Sequence, residues 1–234
     1  MITKSNLKNM LSSAGFSDTS NDKYEKNYPL SNCSIVVDFR NKKIIYPEDK
    51  GFKVNIATTT NFSEPENFVV LECVNRLLDK GYRPENIELE RAWTLGHEQK
   101  SGRADICVSD QNRKMLFIVE CKTYGSEYTK EMKNILSDGG QLFSYWQQER
   151  GCRWLSLYAS NINSNNENII KLKKILSTNI EYEFLENKNG DNVLKIWDYW
   201  NDKIAVYINF NELMPLLESY SGIDRILLNN KESD

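Results

Sequence analysis

The chain is poor in histidine, in paired cysteine and in unbroken apolar sequence, and each scarcity removes a class of function. His97 is the only histidine among 234 residues. Metal sites that need several imidazoles are therefore excluded, and a histidine-dependent catalytic triad would have to be built around that one residue. Cys33, Cys73, Cys107, Cys121 and Cys152 are odd in number and scattered, so neither a zinc site nor a disulfide framework is expected. No apolar stretch approaches the roughly 20 residues that a membrane span requires. The start, Met1-Ile2-Thr3-Lys4-Ser5-Asn6-Leu7, lacks the apolar centre of a secretory signal, and a cytoplasmic protein with no membrane partner is expected. A glycine-rich loop ending in Lys-Ser/Thr is missing, as is Gly-x-Gly-x-x-Gly, so ATP hydrolysis or dinucleotide binding would need other polypeptide. Basic charge is short as well. The formal net charge is −3, which argues against a free-standing tight DNA binder, because phosphate neutralisation supplies most non-specific affinity. Arg91, Lys100, Arg103, Lys114, Lys122, Lys130 and Lys133 are the local candidates for phosphate contacts, but they form no dense stripe, and a residue of this kind is more often a solvated charge than a phosphate contact.

What is present is concentrated in two apolar runs. Gly102-Arg103-Ala104-Asp105-Ile106 carries one acid, and Leu116-Phe117-Ile118-Val119-Glu120-Cys121-Lys122 carries an acid and a lysine two residues apart. Strand side chains alternate, so Glu120 and Lys122 share a face while Val119 and Cys121 take the other. The polar stretch Asp110-Gln111-Asn112-Arg113-Lys114 between the runs reads as a hairpin loop. A loop over 111–114 pairs Asp110 with Met115, and hence Asp105 with Glu120 on one face. A one-residue slip would send Asp105 to the opposite face. Two carboxylates so placed suit a hard divalent cation, since Mg²⁺ binds one or two carboxylates and keeps several waters. Such a cation can generate hydroxide and polarise a phosphoryl oxygen, while Lys122 can orient the nucleophile or offset charge on phosphorus. Taken alone, the triplet is equally the pattern of a solvated strand face or a cross-strand ion pair.

The flanking sequence adds candidates. A helix is expected over residues 65–78, with Ser63 or Glu64 near its start and Gly81 just past its end. Glu72 lies amid apolar residues in it, and a buried carboxylate needs a partner or a metal. Either Glu72 joins the metal site, with Glu66 the lesser candidate, or it pairs with Arg76 one turn on. Gly139-Gly140-Gln141-Leu142-Phe143-Ser144-Tyr145-Trp146 begins a further helix that sets Gln141 and Tyr145 one turn apart on a shared face.

The ordered set of Glu72, Asp105, Glu120-Cys121-Lys122 and Gln141-x-x-x-Tyr145 resembles the PD-(D/E)xK nuclease superfamily. More narrowly it is similar to the N-terminal nuclease domains of type I restriction enzyme R subunits and related single-chain restriction–modification enzymes. Pro65-Glu66-Asn67-Phe68-Val69, Ile87-Glu88-Leu89-Glu90 and Gly139-Gly140-Gln141-Leu142-Phe143-Ser144-Tyr145 carry the likeness, which is strongest over 65–160. Ala104 stands where the superfamily's name has proline, a change that removes no chemical group. The resemblance implies a Mg²⁺-dependent DNA endonuclease, with Mn²⁺ a possible substitute, and a restriction-endonuclease-like α/β core. It implies catalytic Asp105, Glu120, Lys122 and Glu72, with metal held by Asp105, Glu120, Glu72 and the backbone carbonyl of Cys121. Gln141 and Tyr145 would contact the site or DNA. Duplex DNA and methyltransferase, specificity or helicase-translocase domains or subunits are the implied partners. A non-cleaving DNA-binding or assembly module on the same fold, and a stand-alone repair nuclease, are the competing readings.

The expected architecture is α/β, a mixed central sheet flanked by helices with added β-hairpins. A helix is predicted over 4–13 and a hairpin from strands 34–39 and 43–46. Residues 1–60 would form an extension, 61–160 the nuclease core with another strand over 153–159, and 161–234 a C-terminal α/β extension packed on it. Within the last part, a polar break over 161–168 precedes a helix over 169–176. Strands over 181–186 and 193–200 flank Asn189-Gly190, followed by a strand over 203–210 and a helix over 212–220. The aromatics Trp197, Tyr199 and Trp200 fall in this stretch, where core or interface is the commoner role and base stacking the rarer one.

Overall fold

The apolar run Met115–Cys121 is buried at every position, which places it inside a sheet covered on both faces. Around it the computed structural model describes residues 1–93, 102–138, 140–149, 152, 154–162 and 168–170. In chain order these form α1 (Leu7–Ser13), β1 (Ser17–Asp18), β2 (Lys23–Tyr28), β3 (Cys33–Asp38), β4 (Lys43–Ile45), β5 (Lys53–Val54) and α2 (Glu66–Asp79). They continue through β6 (Ile87–Ala92), β7 (Arg103–Ser109), β8 (Met115–Cys121), α3 (Ser126–Asp138), α4 (Gly140–Gln148), β9 (Trp154–Tyr158), β10 (Ser160–Ile162) and β11 (Asn168–Ile170).

The main sheet has the order β5-β6-β7-β8-β9. Its pairings are parallel at β5/β6 and β8/β9 and antiparallel at β6/β7 and β7/β8, so the sheet is mixed as expected. Parallel β8 and β9 require a crossover, which α3 and α4 supply. β1 to β4 form a second, antiparallel sheet in sequence order.

α2 lies between the two sheets. On one side the Tyr28 hydroxyl and the Lys26 ammonium both donate to Asn75 Oδ1, at 2.9 and 2.8 Å, and Lys26 also reaches Asp79 at 2.6 Å. Phe39, Phe62 and Phe68 make successive edge-to-face contacts at 5.3 and 5.5 Å from the turn just after β3 to the first turns of α2. On the other side α2 packs against β8. A helix sandwiched this way has no solvent face, hence its near-continuous apolar sequence. It ends as predicted: Gly81, at φ +88°, donates to the Leu78 carbonyl while Tyr82 donates to that of Leu77, a closure that needs a left-handed residue.

Several elements depart from expectation, the short strands β1, β5 and β10 and the sheet strand β6 among them. β2 was not foreseen, because Lys23-Tyr24-Glu25-Lys26-Asn27-Tyr28 shows no apolar alternation; its pairing partners, β1 and β3, hold it. α3 was also missed, although Tyr128, Met132 and Ile135 recur at helical spacing and are buried. The helix expected over 169–176 begins in what is β11, paired to β10; residues 171–176 and the elements expected over 181–220, Trp197, Tyr199 and Trp200 included, lie outside the described residues. Among the described residues no helix is long and apolar enough to cross a membrane.

Candidate active site

β7 and β8 position the acids through their register. Ile106 pairs with Val119, Cys107 with Ile118 and Val108 with Phe117; continuing by one residue sets Asp105 opposite Glu120, the arrangement the hairpin argument anticipated. The tip differs from expectation. Ser109, rather than Asp110, pairs with Met115, and a bulge between Val108 and Ser109 absorbs the one-residue difference. The turn is closed by the Asp110 carboxylate, which accepts from the Asn112 and Lys114 N–H groups, and by Arg113 at φ +62°. An extra residue in one strand corrects the register below it, so the acids oppose each other although the loop is built otherwise.

Asp105 and Glu120 are 8 % and 2 % exposed. Asp105 Oδ2 accepts from the Cys121 N–H at 2.6 Å, which ties the first acid to the end of β8. The Lys122 ammonium donates to Glu120 Oε1 at 2.6 Å and to the Cys121 carbonyl at 3.0 Å, and lies 3.6 Å from Glu66 Oε2. Glu120 Oε2 is buried without a hydrogen bond. Burial, and then the Glu120 charge, push Asp105 well above the usual carboxylate range, against the pull of Lys122. Burial likewise raises Glu120 to about 7, with Lys122 opposing and Glu66 and Glu131 adding to it. For Lys122 burial acts downward, but Glu120, Asp105 and Glu66 outweigh it and hold the ammonium above its ordinary value. The pocket thus gathers the carboxyl groups of Glu66, Asp105 and Glu120 around a single lysine, and their raised pKa values mean that ionising them together is costly without a further cation.

α4 covers the site face. The Tyr145 hydroxyl donates to the Arg103 carbonyl at 2.6 Å, its ring stacks on Trp93 at 5.5 Å, and Gly102 leaves room for it. A Cβ there would stand 2.7 Å from Tyr145 Cε1. Burial and the charges of Glu120 and Asp105 raise the Tyr145 pKa, which places the phenol beside the acids. Gln141 is exposed at the start of α4, and its backbone N–H donates to Glu131 Oε1 of α3 at 3.3 Å.

With this geometry in hand, comparison with known proteins is decisive for kinship. The family model of the type I restriction enzyme R protein N terminus matches residues 65–186. The chain belongs to this family. The match opens at Pro65, immediately before α2, and spans every group of the pocket. No curated protein matches the chain.

Glu72 needs correction. Its Oε1 accepts from Arg76 Nε at 2.7 Å and its Oε2 from the Tyr158 hydroxyl. Tyr158 pairs with Cys121, so it sits on the β8 face opposite Glu120, and Glu72 faces that side. Glu66 and Glu72 are six residues apart, a rotation of about 240° around a helix, which leaves Glu66 as the acid of α2 that reaches Lys122. Glu90 and Glu131 were not singled out. Both are buried and close enough for charge coupling to the pocket, Glu90 to Glu66 and Lys122, Glu131 to Glu120. Glu90 lies opposite Asp105 by the β6/β7 register, a relation visible only once β6 is known to neighbour β7.

Proposed function

We propose that this chain is a Mg²⁺-dependent endonuclease domain of a restriction–modification system, hydrolysing phosphodiester bonds of duplex DNA in the cytoplasm. The observation that carries the reading is the convergence of Asp105, Glu120 and Lys122 at one end of β7 and β8. Asp105, Glu120 and the Cys121 carbonyl would hold the cation. Two features support the fit: the buried Glu120 Oε2 has no hydrogen bond, and the Lys122 ammonium already places positive charge against Glu120 and the Cys121 carbonyl. Among the described residues no three Asp, Glu, His or Cys side chains form a ready-made metal cage, consistent with an ion that retains much of its water. When bound, the cation supplies a hydroxide nucleophile and withdraws charge from the phosphoryl oxygen.

The chain's own groups do the positioning. Lys122, kept protonated by its acidic neighbours, donates to oxygens that gain charge on phosphorus. Asp105 is held by the Cys121 N–H, and Tyr145 anchors the backbone two residues before it. With a net charge of −3, DNA is delivered by companion methyltransferase, specificity or translocase domains or subunits. Lys122→Ala should abolish nicking of supercoiled plasmid by the complete enzyme in Mg²⁺ while leaving the fold intact, and Asp105→Ala should also remove Mg²⁺ binding by calorimetry. Nicking at the wild-type rate by either variant would locate the chemistry elsewhere.

A further inference from the structure

Two charged groups on the site face have no task in hydrolysis so far, Arg103 and Glu90. Arg103 precedes Asp105 by two residues on β7, and the strand period projects both from one face. Its side chain is 48 % exposed, yet Nε lies 3.3 Å from Glu90 Oε2, whose side chain is 12 % exposed. Its carbonyl accepts from Tyr145, and its backbone pairs with Ala92, so the residue is tied down at backbone and side chain alike. Glu90 is unusual in another way. It interrupts β6 at φ +55°, a left-handed conformation that a non-glycine residue adopts only under constraint. Leu89 pairs with Ile106 and Arg91 with Ala104 on either side of it, so the distortion is confined to the residue opposite Asp105. Burial raises the Glu90 pKa, Arg103 opposes the rise, and Glu66 and Lys122 are felt as well.

We propose that Arg103 binds a backbone phosphate of the DNA at the mouth of the Asp105–Glu120–Lys122 pocket, and that Glu90 is the positioning residue that holds the guanidinium there. This rests on the nuclease reading and adds to it the group that admits the substrate. A pocket lined by Glu66, Glu90, Asp105 and Glu120 repels a phosphodiester, and Lys122 is engaged by three of its oxygen neighbours. An arginine fork matches phosphate geometry in two parallel hydrogen bonds, and a guanidinium already held loses little freedom on binding. Glu90 holds it from the strand that borders β7, with its Oε2 3.3 Å from Arg103 Nε.

The test is read on the full chain with a short fluorescein-labelled duplex in EDTA, where binding is seen without cleavage. Arg103→Gln should weaken binding about tenfold. It should also lower the slope of log affinity against log KCl concentration by about 0.9, the share of one phosphate on duplex DNA. Arg103→Lys, which keeps the charge, should retain the slope. Glu90→Gln should retain the slope too, but in Mg²⁺ it should reduce the kcat for plasmid nicking about tenfold with KM unchanged, because a misplaced contact slows the reaction. If Glu90 were merely a nearby acid, its removal would tighten binding and leave kcat alone. A wild-type slope in Arg103→Gln, an absence of salt-dependent duplex binding by the wild type, or a wild-type kcat in Glu90→Gln would overturn the proposal. Failure of the nuclease reading shows separately, as nicking that survives Lys122→Ala.

Discussion

Glu120→Gln should make the metal-free protein more stable above neutral pH while destroying its activity. Glu120 is more deeply buried than Asp105, and glutamine keeps its shape without its charge. Raising this carboxyl from 4.5 to about 7 makes its ionised form about 3 kcal/mol less favourable in the folded chain than in the open one, at 1.36 kcal/mol per pH unit. Between those two values the folded state holds a proton that the unfolded state has released, so wild-type stability falls as pH rises through the window. Below about pH 4.5 the penalty is absent, and above about pH 7 it is complete. Glutamine does not titrate and escapes it. Thermal unfolding of both proteins in EDTA, at about pH 5 and about pH 8, isolates this contribution, since pH-independent losses cancel in the difference. Because part of the penalty is already present at about pH 5, the stability gap should shift toward the variant by about 2.5 kcal/mol between the two pH values, roughly 5 to 10 °C in the midpoint for a chain of this size. A gap that stays constant between the two pH values, or that moves toward the wild type, would refute the assignment of Glu120 as a buried, destabilised acid.

Other perturbations separate structure from chemistry. Glu72→Ala leaves Arg76 and Tyr158 without their carboxylate and should cost about 3 kcal/mol in denaturant unfolding, with the cleavage rate per folded molecule unchanged; a folded but inactive Glu72→Ala would restore that residue to the site. Gly102→Ala brings a Cβ to 2.7 Å from the Tyr145 ring, and thermal melting should show a loss of about 1–3 kcal/mol. The isolated chain should bind duplex DNA no more tightly than the non-specific range of about 10⁻⁴ to 10⁻⁶ M at physiological salt; tight, sequence-specific binding measured by anisotropy would point instead to a stand-alone nuclease.

What lay open in the sequence was whatever depends on short-range periodicity. The alternation of Leu116 to Lys122 already separates Glu120 and Lys122 from Cys121, and the helix over 66–79 with its glycine stop follows from Pro65, an apolar run and Gly81. The pairing of Asp105 with Glu120 was legible in outcome but not in detail, since the bulge at Val108/Ser109 depends on how the Asp110 carboxylate closes the turn. Choosing between Glu66 and Glu72 was beyond it. Both sit in an apolar helix, and only the packing of α2 between two sheets decides which carboxylate meets Lys122 and which meets Arg76 and Tyr158. Glu90, quoted only as part of a phrase that carries the family likeness, and Arg103, one of several scattered basic residues, have no individual role that the sequence assigns. Their meaning comes from β6 lying beside β7, a non-local pairing that sets Glu90 opposite Asp105 and no local pattern encodes. Periodicity assigns a side chain to a face of its own element, whereas the tertiary structure alone decides what that face meets.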